Sequence, residues 1–186
     1  MDNQKKLNAL VVNCSPVKNG ATAEMAKIAA EELRKRHFVK SVCVDDYKIE
    51  FCRGCRRCHQ TAKCENFKDD FLALEKEFES ADIVVCCAPS YWADVPGQFK
   101  AFIDRWTPWC NTHEPHAKLP SGKKGYSLVL RTGPNMKECE RLIYTIEHFY
   151  GHLEIEAAGR LGFVQVENKA DLQKHRGEIA VFCEKI

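Results

Sequence analysis

The strongest constraint on this chain is a rhythm in its apolar residues: strand-length apolar blocks alternate with stretches in which they recur every three or four positions. Asn8 to Asn13 carries Ala9-Leu10-Val11-Val12, an unbroken block that reads as a buried strand. From Thr22 to about Arg36 the period changes, with Met25, Ile28, Ala29 and Leu33 on one helical face. Val39 to Val44 supplies a second strand. Asn66 is placed to cap a helix with Phe67, Phe71, Leu74 and Phe78 as its stripe, and Ile83 to Ala88 is a third, continuously apolar strand. Phe99, Phe102, Ile103 and Trp106 mark the next helix, with Asp94 as its expected cap and Pro96 in its first turn. Tyr126 to Leu130 predicts a fourth strand, and Cys139, Leu142, Ile143 and Ile146 predict a helix ending near Gly151. A fifth strand lies within Leu153 to Val166, bent at Gly159 or Gly162, before a helix that Asn168 and Asp171 can cap. Five such strand–helix units predict an α/β domain with an open parallel sheet covered by helices on both faces.

Size and charge narrow the function. The 186 residues suffice for one sizeable core, so residues 1–186 are expected to form a single domain. The 28 basic and 26 acidic residues leave a formal charge of +2, and no dense basic block calls for nucleic acid or an anionic membrane. The longest strongly apolar run, Ile83 to Pro89, is far below bilayer length, and the N-terminal apolar stretch is too short for a signal peptide. A soluble, cytoplasmic protein is the expectation. Eleven cysteines are abundant for this length, and in a reducing compartment most are expected to be small buried hydrophobes. Cys86, Cys87, Cys139 and Cys183 fall on apolar faces and fit that reading, as does Cys14.

Two loops carry candidate chemistry. Between the first strand and first helix runs Asn13-Cys14-Ser15-Pro16-Val17-Lys18-Asn19-Gly20-Ala21-Thr22, able to present backbone N–H groups, hydroxyls and a lysine to an anion at a helix N-terminus. It is neither a GxGxxG fingerprint nor a P-loop ending in Gly-Lys-Ser/Thr, and an ordinary polar loop with Thr22 as helix cap competes with the anion reading. After the third strand, Tyr91 and Trp92 offer flat apolar surface where α/β sheets collect ligands; local packing is the alternative.

Ser15-Pro16-x-x-Asn19-Gly20-x-Thr22 resembles the first loop of the NAD(P)H-dependent FMN reductase family. Pro89-Ser90-Tyr91-Trp92-x-x-Val95-Pro96-Gly97-Gln98-Phe99-Lys100-Ala101-Phe102-Ile103-Asp104-Arg105 resembles a flavin loop and following helix of the same family. The likeness is good from Asn8 to about Arg105 and looser thereafter. It implies a flavodoxin-like three-layer sandwich with strand order 2-1-3-4-5 and FMN beyond the C-terminal strand ends. The FMN phosphate is then expected at Ser15, Lys18, Asn19, Ala21 and Thr22, and the ring and ribityl chain along Pro89, Ser90, Tyr91, Trp92 and Val95. Thr132 and Gly133 form a third candidate contact.

Cys52, Cys55, Cys58 and Cys64 form C-x2-C-x2-C-x5-C within a loop at about 48–66. Three cysteines at steps of three can wrap a cubane and the fourth can close the set, which favours an Fe4S4 cluster over the separated knuckles usual for zinc. Zinc and metal-free, redox-sensitive thiols stay open as alternatives. The spacing resembles the compact motif of iron–sulfur flavoproteins, a branch of the same superfamily.

The expected activity is that of an FMN-dependent oxidoreductase, with NAD(P)H as electron donor and flavin, quinone or another small molecule as acceptor. The alternative is an iron–sulfur flavoprotein passing single electrons between a ferredoxin-like partner, an Fe4S4 cluster and FMN; a noncatalytic flavin-binding module is a third class. The family likeness implies a homodimer, with Trp106 through Gly122 expected near the interface. Asp94, Asp104, His113 and His116 are scattered and give no hydrolase constellation.

Overall fold

A computed structural model describes residues 5–64 and 67–186. Its elements run β1 (Asn8–Asn13), α1 (Ala21–Leu33), β2 (Phe38–Cys43), α2 (Cys58–Thr61), α3 (Phe71–Ser80), β3 (Ile83–Pro89), α4 (Gly97–Arg105), β4 (Lys124–Leu130), α5 (Met136–His152), β5 (Glu156–Phe163), α6 (Lys169–Gln173) and α7 (Arg176–Cys183). The five strands are parallel in the order β2-β1-β3-β4-β5, the flavodoxin-like arrangement.

The apolar blocks are continuous because the central strands are buried on both faces. Alternate residues serve opposite layers. Leu10, Val12, Val84, Cys86 and Ala88 pack with Phe71, Phe78, Phe102 and Leu142 from α3, α4 and α5. Ala9, Val11, Ile83, Val85 and Cys87 pack instead with Met25, Ile28, Leu172 and Ile179 from α1, α6 and α7. The edge strands β2 and β5 are largely exposed, which fits their more polar sequences.

Local departures have identifiable causes. The strand β5 slips register opposite Gly125 and Tyr126, so that Tyr126 faces Gly159. A Cβ on Gly159 would lie 3.1 Å from the Tyr126 ring, so the bend falls there. Asn168 caps α6 as expected, accepting from the Ala170 and Asp171 N–H groups. The expected capping residue Asn66 lies outside the described residues; α3 begins later, at Phe71, and leaves Phe67 off the helix. Asp94 does not cap α4, whose N-cap is Pro96; its carboxylate accepts from the Val95 N–H and the Thr145 hydroxyl instead.

Trp106 and Trp109 extend the aromatic layer of this chain. Trp106 is buried among Phe71, Phe78, Phe102 and Phe149, and the ring of Trp109 stands edge-on to it at 4.9 Å. Trp106 fills the layer beneath α3, α4 and α5, and Trp109 sits half-buried against it.

Candidate functional site

Chain direction puts the loops after β1, β3 and β4 on one edge of the sheet. Strands β1 and β3 are neighbours whose onward connections leave in opposite directions, one toward β2 and one toward β4. Such a switch point opens a crevice at the carboxyl ends of the strands.

The first loop is shaped by its own side chains. Asn13 Oδ1 accepts from the Ser15 N–H at 3.1 Å, and Ser15 Oγ accepts from the Val17 N–H at 3.0 Å. The Cys14 N–H donates to the Cys87 carbonyl at 2.8 Å, pinning the loop to β3. Gly20 caps α1 with no side-chain hydrogen bond, so Thr22 is not its cap. The helix end, with Ala21 and Thr22 in its first turn, therefore keeps N–H groups for an anion.

Two lysines flank this loop. Lys18 is exposed and turns to Asp46, at 2.5 Å, and Asp45, at 4.0 Å. The bond to Asp46 raises its pKa. Asn19 Oδ1 accepts from Lys169 Nζ at the start of α6. Lys169 lies 150 residues away in sequence, and no local pattern marked it.

The second loop is a tight turn. The Tyr91 N–H donates to the Asp94 carbonyl at 2.8 Å, and the Asp94 N–H returns to Tyr91 at 3.1 Å. Trp92 and Ala93, with φ of 54° and 60°, hold the left-handed conformations of a type I′ turn without being glycine. Strain of this kind persists where surrounding structure imposes it, and it concentrates at ligand sites. The Trp92 side chain stands fully in solvent, Tyr91 is 43% exposed and Val95 is buried. The Ser90 N–H holds the loop to Leu130 at 2.9 Å, next to Pro89 at the end of β3.

In the third loop Arg131 pairs with Glu138 at 2.6 Å, and Glu138 also accepts from the Ser90 hydroxyl at 3.3 Å. A Cβ on Gly133 would meet the Arg131 guanidinium at 2.2 Å, so glycine leaves room for that arginine beside Thr132. All twelve residues expected around FMN thus lie in or beside three loops that follow adjacent strands, with Lys18 turned aside by its carboxylates.

The cysteine loop is a separate structure. It leaves the end of β2 and reaches the far end of α4, where Cys52, Cys55, Cys58 and Cys64 line one cavity of about 80 Å³ with Phe67 and Arg105. Cys52 and Cys55 are exposed, while Cys58 and Cys64 are half-buried. Burial raises the Cys58 pKa, with Cys64, Cys55 and Cys52 adding to the shift. Gly54, Arg56 and Ala62 take φ of 61°, 57° and 52°, which curls the chain around the cavity. Among the described residues no three His, Cys, Asp or Glu side chains are grouped to hold a single metal ion.

The loop is closed at its neck. Lys48 and Asp70 exchange backbone and side-chain bonds at 2.9 Å. Asp69 accepts from the Glu50 N–H at 2.9 Å and pairs with Arg105 at 2.5 Å, with side-chain exposures of only 3% and 1%. Although burial opposes the charge, the Arg105 bond and two backbone N–H groups hold the Asp69 carboxyl below its ordinary pKa. Sequence reasoning ended the flavin helix at Arg105 without seeing that its side chain serves the cysteine loop.

A second cavity, of about 510 Å³, shares Cys52 and Gly54 with the first and is floored by Trp106 and Phe149. At its mouth His148 Nε2 and His152 Nε2 stand 3.0 Å apart, and His152 Nδ1 is 3.2 Å from the Cys110 sulfur. Burial lowers the His152 pKa, with His148 and His113 adding to it. Burial pushes the Cys14 and Cys87 thiols well up, as expected of core residues.

An open α/β sheet with three ligand-facing loops at its switch point defines a flavodoxin-like nucleotide-binding protein. The chain belongs to the NADPH-dependent FMN reductase family, whose model matches residues 7–157. An iron–sulfur flavoprotein from Archaeoglobus fulgidus is 34% identical over 133 residues, 71% of this chain and 58% of that protein. Another from Methanosarcina thermophila is 26% identical over 95 residues, covering 50% and 49%. The chain spans about half the length of the curated relatives it matches. Among solved structures, an NAD(P)H:quinone oxidoreductase from Methanothermobacter marburgensis superposes with a TM-score of 0.74 at 12% identity, covering 96% of both chains. An FMN-dependent NADH-azoreductase from Bacillus anthracis, in complex with FMN, gives 0.68 at 11%, covering 96% of this chain and 98% of that one. At these identities the structural likeness concerns the fold. Among the described residues no helix is long and apolar enough to cross a membrane.

Proposed function

We propose that this protein is an FMN-dependent oxidoreductase that takes electrons from NAD(P)H and passes them to flavin, quinone or another small acceptor. The observation that carries the reading is the convergence of the Ser15–Thr22, Pro89–Val95 and Thr132–Gly133 loops on neighbouring strands of an FMN reductase fold. The donor set fits the cofactor. The open N-terminus of α1 offers N–H groups to a dianionic phosphate, with the hydroxyls of Ser15 and Thr22, the amide of Asn19 and the lysines Lys18 and Lys169 around it. Pro89, Ser90, Tyr91, Trp92 and Val95 would border the ring and ribityl chain, where aromatic side chains exclude water and backbone amides orient the heteroatoms. Bound FMN supplies the electron chemistry itself, in one- or two-electron steps. The protein's work is binding and orientation, and hydride delivery asks for no side-chain base.

The iron–sulfur reading is kept for a specific observation: four cysteines separated in sequence line one cavity walled by a buried arginine. Cys52, Cys55, Cys58 and Cys64 would hold an Fe4S4 cluster, and nearby cations suit its net negative charge. Such a group supplies single-electron transfer, and a ferredoxin-like protein is then the partner class. A single domain, a homodimer with the segment Trp106 through Gly122 near its interface, and a cytoplasmic location complete the proposal.

The test is composition. Anaerobically purified protein is expected to release about one FMN per chain and to bind FMN more tightly than riboflavin. Iron, sulfide and zinc are assayed on the same sample, with about four iron and four sulfide per chain expected for the cluster. Negligible flavin after reconstitution would overturn the main reading. Equal affinity for riboflavin would move the phosphate site elsewhere, and stoichiometric zinc would replace the cluster.

A further inference from the structure

We infer that Arg105 is the positioning residue of the four-cysteine site: it locks the neck of the loop and aims an N–H at the Cys64 sulfur, stabilising negative charge there. The inference rests on the iron–sulfur reading above.

The contacts of Arg105 divide the labour. One edge of the guanidinium faces Asp69, with Nη1 at 2.5 Å from Oδ2 and Nη2 at 3.4 Å from Oδ1. Nη1 also donates to the Glu50 carbonyl at 3.1 Å. Glu50 precedes the first cysteine and Asp69 follows the last, so one side chain joins both ends of the loop. Its flat face lies 3.8 Å from the centroid of Phe67, and the Phe71 ring is at 4.8 Å. The remaining donor, Nε, points to Cys64 Sγ at 3.2 Å. The N–H toward sulfur is therefore held in place by contacts that do not involve the cysteines.

The other cations of the loop are less buried. Arg53, Arg56, Arg57 and Lys63 are exposed, where solvent screens their charge. Arg105 is buried at 1% side-chain exposure, so its charge and its hydrogen bond act at low dielectric. A donor bonded to a ligand sulfur stabilises the more negative, reduced state of an iron–sulfur group and raises its potential. Arg105 therefore sets the potential of the site through Cys64 and orders the thiol that closes the ligand set. A lysine here would keep the charge but, as a point donor on a flexible stem, would lose the fork, the ring stacking and the aimed N–H together.

The experiment compares wild type, Arg105→Lys and Asp69→Asn after anaerobic reconstitution. It reads iron and sulfide content, circular dichroism, and the midpoint potential followed by EPR in a mediated dithionite titration. Pulsed EPR of the reduced state detects the exchangeable proton near the sulfur. Arg105→Lys is expected to keep the fold, lower the reduction equilibrium constant about tenfold, equivalent to about 59 mV for one electron, and lose the exchangeable proton coupling. Asp69→Asn keeps the guanidinium but loosens its anchor; because it also removes a buried negative charge, it is read by the exchangeable proton coupling, which is expected to weaken, and that signal carries the test if the lysine variant does not fold. A cluster-loaded lysine variant with wild-type potential and proton coupling overturns the inference about Arg105 and leaves the iron–sulfur reading standing. Wild type that takes up neither iron nor sulfide removes that reading, and the inference with it.

Discussion

The flavin edge and the cysteine loop are two ways of building a site. The first is a by-product of the sheet: its loops are short, follow adjacent strands and are pinned by backbone bonds such as Cys14 to Cys87 and Ser90 to Leu130. The second is a long excursion with exposed cysteines, and its order comes from a neck buckled by Asp69 and Arg105. A site on strand ends inherits the rigidity of the core, whereas a site on a long loop depends on a few buried bonds or on the group it holds.

Breaking the buckle is the largest test of that contrast. Asp69→Ala leaves the Arg105 charge buried without its carboxylate and is expected to cost about 3–5 kcal/mol in denaturant or thermal unfolding. A cost under 1 kcal/mol would mean that the neck is not held by this pair. The same carboxylate sets a pH dependence. Its folded pKa is depressed, so its contribution is complete above the unfolded value of about 3.9 and is lost as pH falls through the folded one. Acid unfolding is expected to steepen below about pH 4, and Asp69→Asn should remove that component.

The flavin edge is probed next. Thr22→Val or Asn19→Ala is expected to weaken FMN binding by roughly 1–3 kcal/mol while changing riboflavin binding little. Equal losses for both ligands, measured by fluorescence titration, would show that these residues do not read the phosphate. A smaller effect of opposite sign is expected at the second loop. Ala93→Gly removes the left-handed strain at φ 60° and should stabilise the protein by roughly 0.5–1 kcal/mol, read as a raised unfolding midpoint. A lowered midpoint would mean that the methyl group, not the backbone, matters there. The smallest change is expected at Lys18→Ala, whose solvent-screened ion pair should leave the unfolding midpoint nearly unmoved. A larger loss of stability would mark the Asp45–Asp46 pair as an anchor of the first loop.

The architecture was legible early because burial imposes period. Ile83 to Pro89 could only be a strand covered on both faces, and the stripe Met25, Ile28, Leu33 could only face a sheet, so strands and helices fell close to their observed limits. The loops proposed for FMN stood out as well, since an open helix N-terminus and aromatics after a central strand are local patterns written over a few consecutive residues. The cysteine spacing was equally local.

What stayed hidden depends on which distant groups share a dielectric or a hydrogen bond. Lys169 reaches Asn19 across 150 positions, and Lys18 is diverted by Asp45 and Asp46 on the neighbouring strand's exit. Trp106 meets Phe149 of α5 and Trp109 meets Phe71 of α3, pairings that no sequence spacing marks. Arg105 closes a motif that reads as flavin helix, yet its guanidinium belongs to Asp69 and Cys64. The sequence by itself determined which residues are apolar and at what period, and so the layers and strands. Only the tertiary structure decided where each long charged side chain ends, because its reach spans several elements and its partner is chosen by packing.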